Sequence, residues 1–169
     1  WQSMLQSPVP LLGQRALTAS DRHGELKEKR TLLSASQTRA LLTPLPQQYR
    51  ASTEEMLLSA LSLALIACFE ASELRYTLES HGRAELEGDS DLARTVGWLT
   101  AEYPLLISLD EGDTGNLRDA VRSVKSVIRA VNDRGIGFGQ LCWLSDDHGP
   151  QLRELAQRHA PEVLFSYLG

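Results

Sequence analysis

Apolar positions along the chain follow two different rhythms, and the switches between them mark the elements. From Glu73 to Glu79 the pattern alternates. Leu74, Tyr76 and Leu78 share one face while Arg75, Thr77 and Glu79 share the other, which predicts a strand with one apolar and one polar side. From Asn116 to Val131 the period changes. Leu117, Val121, Val124, Ile128 and Val131 recur at spacings of four and three, with Arg118, Arg122, Lys125 and Arg129 on the outer face. That spacing predicts an amphipathic helix, with Gly135 just beyond its end as a stop. Met56 to Phe69 is apolar nearly all round, and Ser52 followed by Glu55 reads as a capping box, so a helix buried on most of its surface is expected there.

The remaining elements carry weaker signals. Ser34 to Leu42 holds good helix formers and stops before Pro44; Tyr103 to Leu109 reads as a strand, with Pro104 marking its start. Gln140–Leu144, Gln151–His159 and Glu162–Leu168 read as strand, helix and strand. Ser7 to Lys29 has the mixed polarity of a connector. Two regions follow: 1–33 as a connector leading into a lobe, and 34–169 as the lobe itself. Helices alternate with strands, so the fold class is α/β or α+β, without internal repeats.

Charge and composition narrow the function. The net charge is −5 and the basic residues are scattered, which excludes a nucleic-acid partner because nothing gathers to neutralise phosphates. Lys27, Lys29 and Arg30 alternate with glutamates, as on a solvated face. Cys68 and Cys142 have no metal-site or CxxC spacing and fit a reducing, cytoplasmic setting. The apolar run from Met56 to Phe69 is shorter than the ~20 residues that span a bilayer, and no basic segment precedes an apolar run at the N-terminus. No membrane role is expected, and the opening Trp1-Gln-Ser-Met-Leu5 reads as an excerpt of a longer chain.

Candidate chemistry is sparse. Gly135-Ile-Gly-Phe-Gly139 is GxGxG rather than GxGxxG; a tight turn with close packing, between a helix and a strand, accounts for it better than a nucleotide site. His23, His81, His148 and His159 show no ligand spacing, and Asp146-Asp-His148 reads as a polar turn before Pro150 rather than a metal site. Glu79-Ser-His-Gly-Arg83 is different. It places an acid, an imidazole and a guanidinium where a strand runs out, a position that aims side chains rigidly into a cleft. A carboxylate in a partly apolar slot can be raised toward neutrality and act as a general base. An Arg83–glutamate ion pair within a turn is the alternative from the residues alone.

Four blocks then carry a resemblance. Glu79-Ser-His-Gly-Arg83 and Asp91-Leu-Ala-Arg-Thr-Val-Gly-Trp-Leu-Thr-Ala-Glu-Tyr-Pro104 resemble EGHGRE and DLSRTVGWFTSxYP of nonribosomal peptide synthetase epimerization domains. Val124-Lys125 through Leu141 resembles VKExLRxVPxxGxGYGxL, and Pro161 through Gly169 resembles PxxxFNYLG. Thr95-Val-Gly-Trp98 and Tyr103-Pro104 favour epimerization over the related condensation domains, whose middle block is a GR followed by VGxFxNxLPLR. Ser80 replaces a glycine, Ala84 displaces an acid that Glu85 can replace, and Ser166 stands where the family carries Asn.

The resemblance implies the C-terminal lobe of a two-lobed fold like chloramphenicol acetyltransferase. It implies inversion of an α-carbon held as a thioester on a carrier domain's phosphopantetheine arm, with no cofactor of the protein's own. Glu79 would be one proton carrier and Tyr167 the group at the enolate, with Ser166 beside it; His81, Arg83, Trp98 and Tyr103 would shape the site. The family's HHxxxDG motif has no counterpart here, since no His-His pair occurs. The expected partners are therefore a peptidyl carrier domain, an N-terminal lobe that supplies the histidine, and adjacent synthetase modules. Such a lobe should also expose apolar surface from the Met56–Phe69 helix and the strands around Tyr76 and Ile107 where its partner packs. A carrier-docking or structural lobe without catalysis, and a condensation domain, are the alternatives.

Overall fold

The computed structural model describes residues 1–9, 12–13, 18–22, 24, 26–83, 92, 94–109 and 116–169. Among them run α1 (Gln2–Gln6), α2 (Ala35–Leu42), α3 (Pro44–Tyr49), α4 (Thr53–Phe69), β1 (Glu73–Ser80), β2 (Ala101–Ser108), α5 (Leu117–Ala130), a 3₁₀ turn (Asn132–Gly135), α6 (Ile136–Leu144), α7 (Gly149–Arg158) and β3 (Val163–Ser166). The strands form one mixed sheet in the order β2-β1-β3, with β1 antiparallel to β2 and parallel to β3. The expected α/β class holds. Ala84, Glu85 and Asp91 lie outside the described residues, as does His23.

The sheet is covered on both faces. Leu74, Tyr76 and Leu78 pair in register with Ile107, Leu105 and Tyr103, and this apolar face packs with Leu58 and Ile66 of α4 and Ala120 and Val124 of α5. The serines that interrupt the apolar α4 have specific partners. Ser59 Oγ donates to the Glu55 carbonyl at 2.6 Å, and Ser62 Oγ lies 2.9 Å from the buried Tyr76 hydroxyl. Each polar group is thereby satisfied inside the core. The expected apolar surplus at Tyr76 and Ile107 is not found, because both are fully buried within this chain.

Arg75 departs from the simple alternation. The sequence places it on a polar face, yet it is 9% exposed. Its guanidinium donates to the carbonyls of Met4 (3.1 Å), His159 (3.2 Å) and Ser7, tying the chain's first turns to the end of α7. A second small core of Leu5, Cys142 and Leu152 closes the structure where α1, α6 and α7 meet. Arg75, on the polar face of β1, is thus satisfied by backbone carbonyls.

Two further expectations are corrected. Gln140–Leu144 is the last part of helix α6, not a strand. A short apolar run carries no decisive period, and the choice falls to packing: α6 lies against β2 and α7. The GxGxG motif accordingly opens a helix. Gly137 and Gly139 have open space around them, and only Gly135, at φ +84°, makes a turn with a close approach. Pro104 sits within β2 rather than at its start; an edge strand tolerates the missing N–H.

Candidate functional site

Glu55 fixes the start of α4. Its backbone N–H donates to Ser52 Oγ (3.0 Å), and its carboxylate accepts from Ser52 N–H (2.7 Å), completing the capping box. The same buried carboxylate takes a two-pronged contact from Arg129 of α5, Nε at 2.7 Å and Nη2 at 3.0 Å. Lys125 Nζ donates to Tyr49 O at 3.0 Å. So the basic face of α5 clamps the segment that leads into α4, beyond its expected solvated role. This clamp holds Ser52, Thr53 and Glu54 on the rim of a cleft of about 720 Å³.

The other walls come from the ends of β1 and β3, the segment entering β2, and the 3₁₀ turn. Glu79, His81, Arg83, Trp98, Ser166 and Tyr167 all line this cleft. Six of the seven residues singled out in sequence therefore converge. Glu79 is half-buried, and among the described residues no hydrogen bond or ion pair engages its carboxylate. It is paired in register with Glu102 on β2 and Ser166 on β3. Like charges facing each other across strands are unfavourable, and a local conflict of that kind is characteristic of functional positions.

Arg83 is structural in its contacts. Nη1 donates to the carbonyls of Leu92 (2.7 Å) and Thr95 (2.9 Å), tethering the segment that carries Trp98, and no glutamate is paired with it among the described residues. Glu85 and Glu87, the glutamates that follow Arg83 in sequence, lie outside the described residues. Gly82 is required at φ +60°: a Cβ would lie 1.4 Å from the Leu99 carbonyl oxygen. His81 Nδ1 accepts from the Arg83 N–H at 3.0 Å.

Tyr103 is the residue that does not reach the cleft. It is buried and sits behind the 3₁₀ turn, where a Cβ on Gly135 would fall 1.9 Å from its ring. Trp1 packs on it edge-to-face at 5.9 Å. Burial pushes the phenol up to about 12, Glu54 adding to the rise and Arg134 opposing it. It backs the turn that carries Arg134.

Two cleft residues were not visible in the sequence. Glu54 follows the cap of α4, and Arg134 lies in the 3₁₀ turn. Burial raises the Glu54 carboxyl above its ordinary range and Glu55 adds to the rise, while Arg134 and His81 pull it back. A glutamate in a first helical turn and an arginine after a helix are ordinary surface positions, so no local signal marks either.

The strand ends and the start of α4 thus surround an acid-bearing cleft in a mixed α/β lobe. The sequence model of the "Condensation domain" family matches residues 1–158, and the chain belongs to that family. It is 39% identical over 83% of its length to vanchrobactin synthetase VabF of Vibrio anguillarum, and 32% identical over its whole length to bacitracin synthase 2 of Bacillus licheniformis. It spans 5% and 6% of those proteins. Among solved structures, the epimerization domain from the third module of tyrocidine synthetase B matches with a TM-score of 0.70 and 30% identity, over 81% of this chain and 30% of that one. The first condensation domain of the calcium-dependent antibiotic synthetase matches with a TM-score of 0.53 and 15% identity, over 76% of this chain and 26% of that one, a likeness of fold alone.

Proposed function

We propose that this chain is the C-terminal lobe of a nonribosomal peptide synthetase epimerization domain, which inverts the α-carbon of an aminoacyl or peptidyl thioester. The observation that carries it is the Glu79 carboxylate at the end of the central strand, unengaged among the described residues and in one cleft with Tyr167. The 30% identical epimerization domain supports the same choice over condensation.

In this mechanism the thioester carbonyl acidifies the α-proton. Glu79 takes that proton as the C–H electron pair becomes the Cα=C bond and the carbonyl π pair moves onto oxygen, giving an enolate. An acid on the facing wall, supplied by the N-terminal lobe, returns a proton to the opposite face. The carbonyl re-forms, with no net oxidation and no cofactor of the protein's own. Tyr167 donates to the enolate oxygen, the place where charge develops. Ser166 lies beside it, while His81, Arg83 and Trp98 shape the walls around the phosphopantetheine arm of a peptidyl carrier domain. Neighbouring modules of a cytoplasmic synthetase supply and consume the thioester. The described helices include no single one long and apolar enough to cross a membrane.

The test is stereochemical. The complete domain is given an L-aminoacyl thioester on its carrier, the product is hydrolysed, and the enantiomers are resolved. A mixture approaching equal D and L is expected. A new peptide bond with all-L product would assign condensation instead, and an unchanged L-thioester would leave a docking lobe.

A further inference from the structure

Asp133 and Arg134 both adopt left-handed backbone, at φ 49° and 50°, and Gly135 follows at φ 84°. Non-glycine residues are disfavoured in that conformation by Cβ crowding, so two in succession persist only where the surroundings hold them. The surroundings here are specific. Ser80 Oγ, one residue beyond Glu79, donates to the Arg134 carbonyl at 3.0 Å, and Gly135 is pressed on the buried Tyr103 ring. The strained turn therefore points the Arg134 side chain at the cleft from beside the strand that carries Glu79.

The guanidinium arrives there without an anion. Among the described residues no carboxylate lies within ion-pair distance of it, and its one polar contact is His81 Nε2 at 3.4 Å. His81 Nδ1 already accepts from the Arg83 N–H, and an imidazole in either charge state supplies no negative charge to balance the guanidinium. Glu54, the nearby acid, is the natural rival for this cation, but burial disfavours its charged form.

We propose that Arg134 is an oxyanion-binding residue of the cleft, acting in addition to Tyr167 and taking a negatively charged oxygen of the carrier-bound substrate. The proposal rests on the carrier-thioester reading above. Two oxygens share this chemistry: the enolate oxygen formed at the thioester, and the phosphate of the phosphopantetheine arm. A planar guanidinium suits either with paired N–H donors.

Binding decides the matter independently of turnover. Calorimetry on the complete domain compares free 4′-phosphopantetheine with an S-carboxymethyl pantetheine, whose carboxylate replaces the enolate oxygen and which lacks the phosphate. Arg134→Gln should weaken one of the two about ten-fold or more, and which one identifies the source; Arg134→Lys should recover part of the loss. Asp133→Gly, which relieves the same strained turn without touching the cation, should raise the melting temperature and leave binding unchanged. Equal affinity of parent and Arg134→Gln for both probes overturns the proposal. Failure of the domain to epimerize while Arg134→Gln still weakens a probe overturns only the reaction assigned above.

Discussion

Glu79 and Ser166 are register partners across the parallel β1–β3 pair, which brings the proposed proton carrier and the start of the Ser166-Tyr167-Leu168-Gly169 exit onto one wall. The resemblance places an Asn where this chain has Ser166. An Asn amide reaches further than a serine hydroxyl and donates two hydrogens.

Ser166→Asn in the complete domain should therefore raise the rate of α-proton exchange. A hydrogen bond to a charged group contributes about 1.5–3 kcal/mol, which is roughly ten-fold or more in rate. Exchange into deuterated solvent, followed by mass spectrometry, measures it. An unchanged or lower rate would show that Ser166 is already matched to its surroundings.

Glu55 serves the cap of α4 and the clamp to α5 together, so the two ends of its interaction should not cost the same. Ser52→Ala removes the cap alone and should cost about 1 kcal/mol. Glu55→Ala removes the cap together with both Arg129 contacts, which are screened because Arg129 is exposed, and should cost more, about 1.5–3 kcal/mol. Urea denaturation of the two variants against the parent gives the comparison. Equal losses would mean that the α4–α5 clamp contributes nothing.

Glu54 gives a pH signature. Its carboxyl is raised in the folded protein, so folding favours its protonated form, and the sign follows directly. The penalty is absent below the ordinary glutamate range, grows as pH rises from that range through the raised value, and is complete above it. Arg134, His81, Glu55 and Tyr103 are the charged or titratable groups that face it. Glu54→Gln should match the parent in acid and become the more stable of the two as pH rises toward neutrality. Thermal denaturation across that window tests this, and a gap that is constant with pH would contradict it.

The strands were legible in the sequence because alternation over a whole strand fixes the face of every residue, as Leu74, Tyr76 and Leu78 show. The residues that line the cleft were legible for a different reason: they sit in three short blocks, at the ends of β1 and β3 and on the segment entering β2. What stayed hidden depends on contacts across the chain. Arg75 is polar by pattern but buried by backbone acceptors from both ends of the chain. Gln140–Leu144 is too short and too uniformly apolar for its period to be read, and its helix is decided by the neighbours it packs on. Glu54 and Arg134 belong to the cleft only because the α5 clamp and the Tyr103-backed turn bring separate segments together.

The exposed apolar residues bear on the proposed partner lobe. Val96, Trp98 and Leu168 are 100%, 89% and 92% exposed, and Trp98 and Leu168 stand on the cleft wall. Apolar surface gathered at one rim seeks a cover. The chain alone should self-associate in light scattering, and co-expression with the N-terminal lobe should relieve it and shift the Trp98 emission to the blue. A monomer that stays dispersed at high concentration would count against a partner lobe on this face.

The most direct test of the whole account is α-proton exchange by the complete domain carrying Glu79→Gln. The amide keeps the shape of the side chain and removes the proton carrier. General acid–base groups contribute ~10²–10⁴-fold, so exchange of a carrier-bound aminoacyl thioester with deuterated solvent should fall by at least about a hundred-fold while thioester binding is retained. A variant that keeps more than half of the parent's exchange rate would remove Glu79 from the chemistry, and with it the proposed epimerization mechanism.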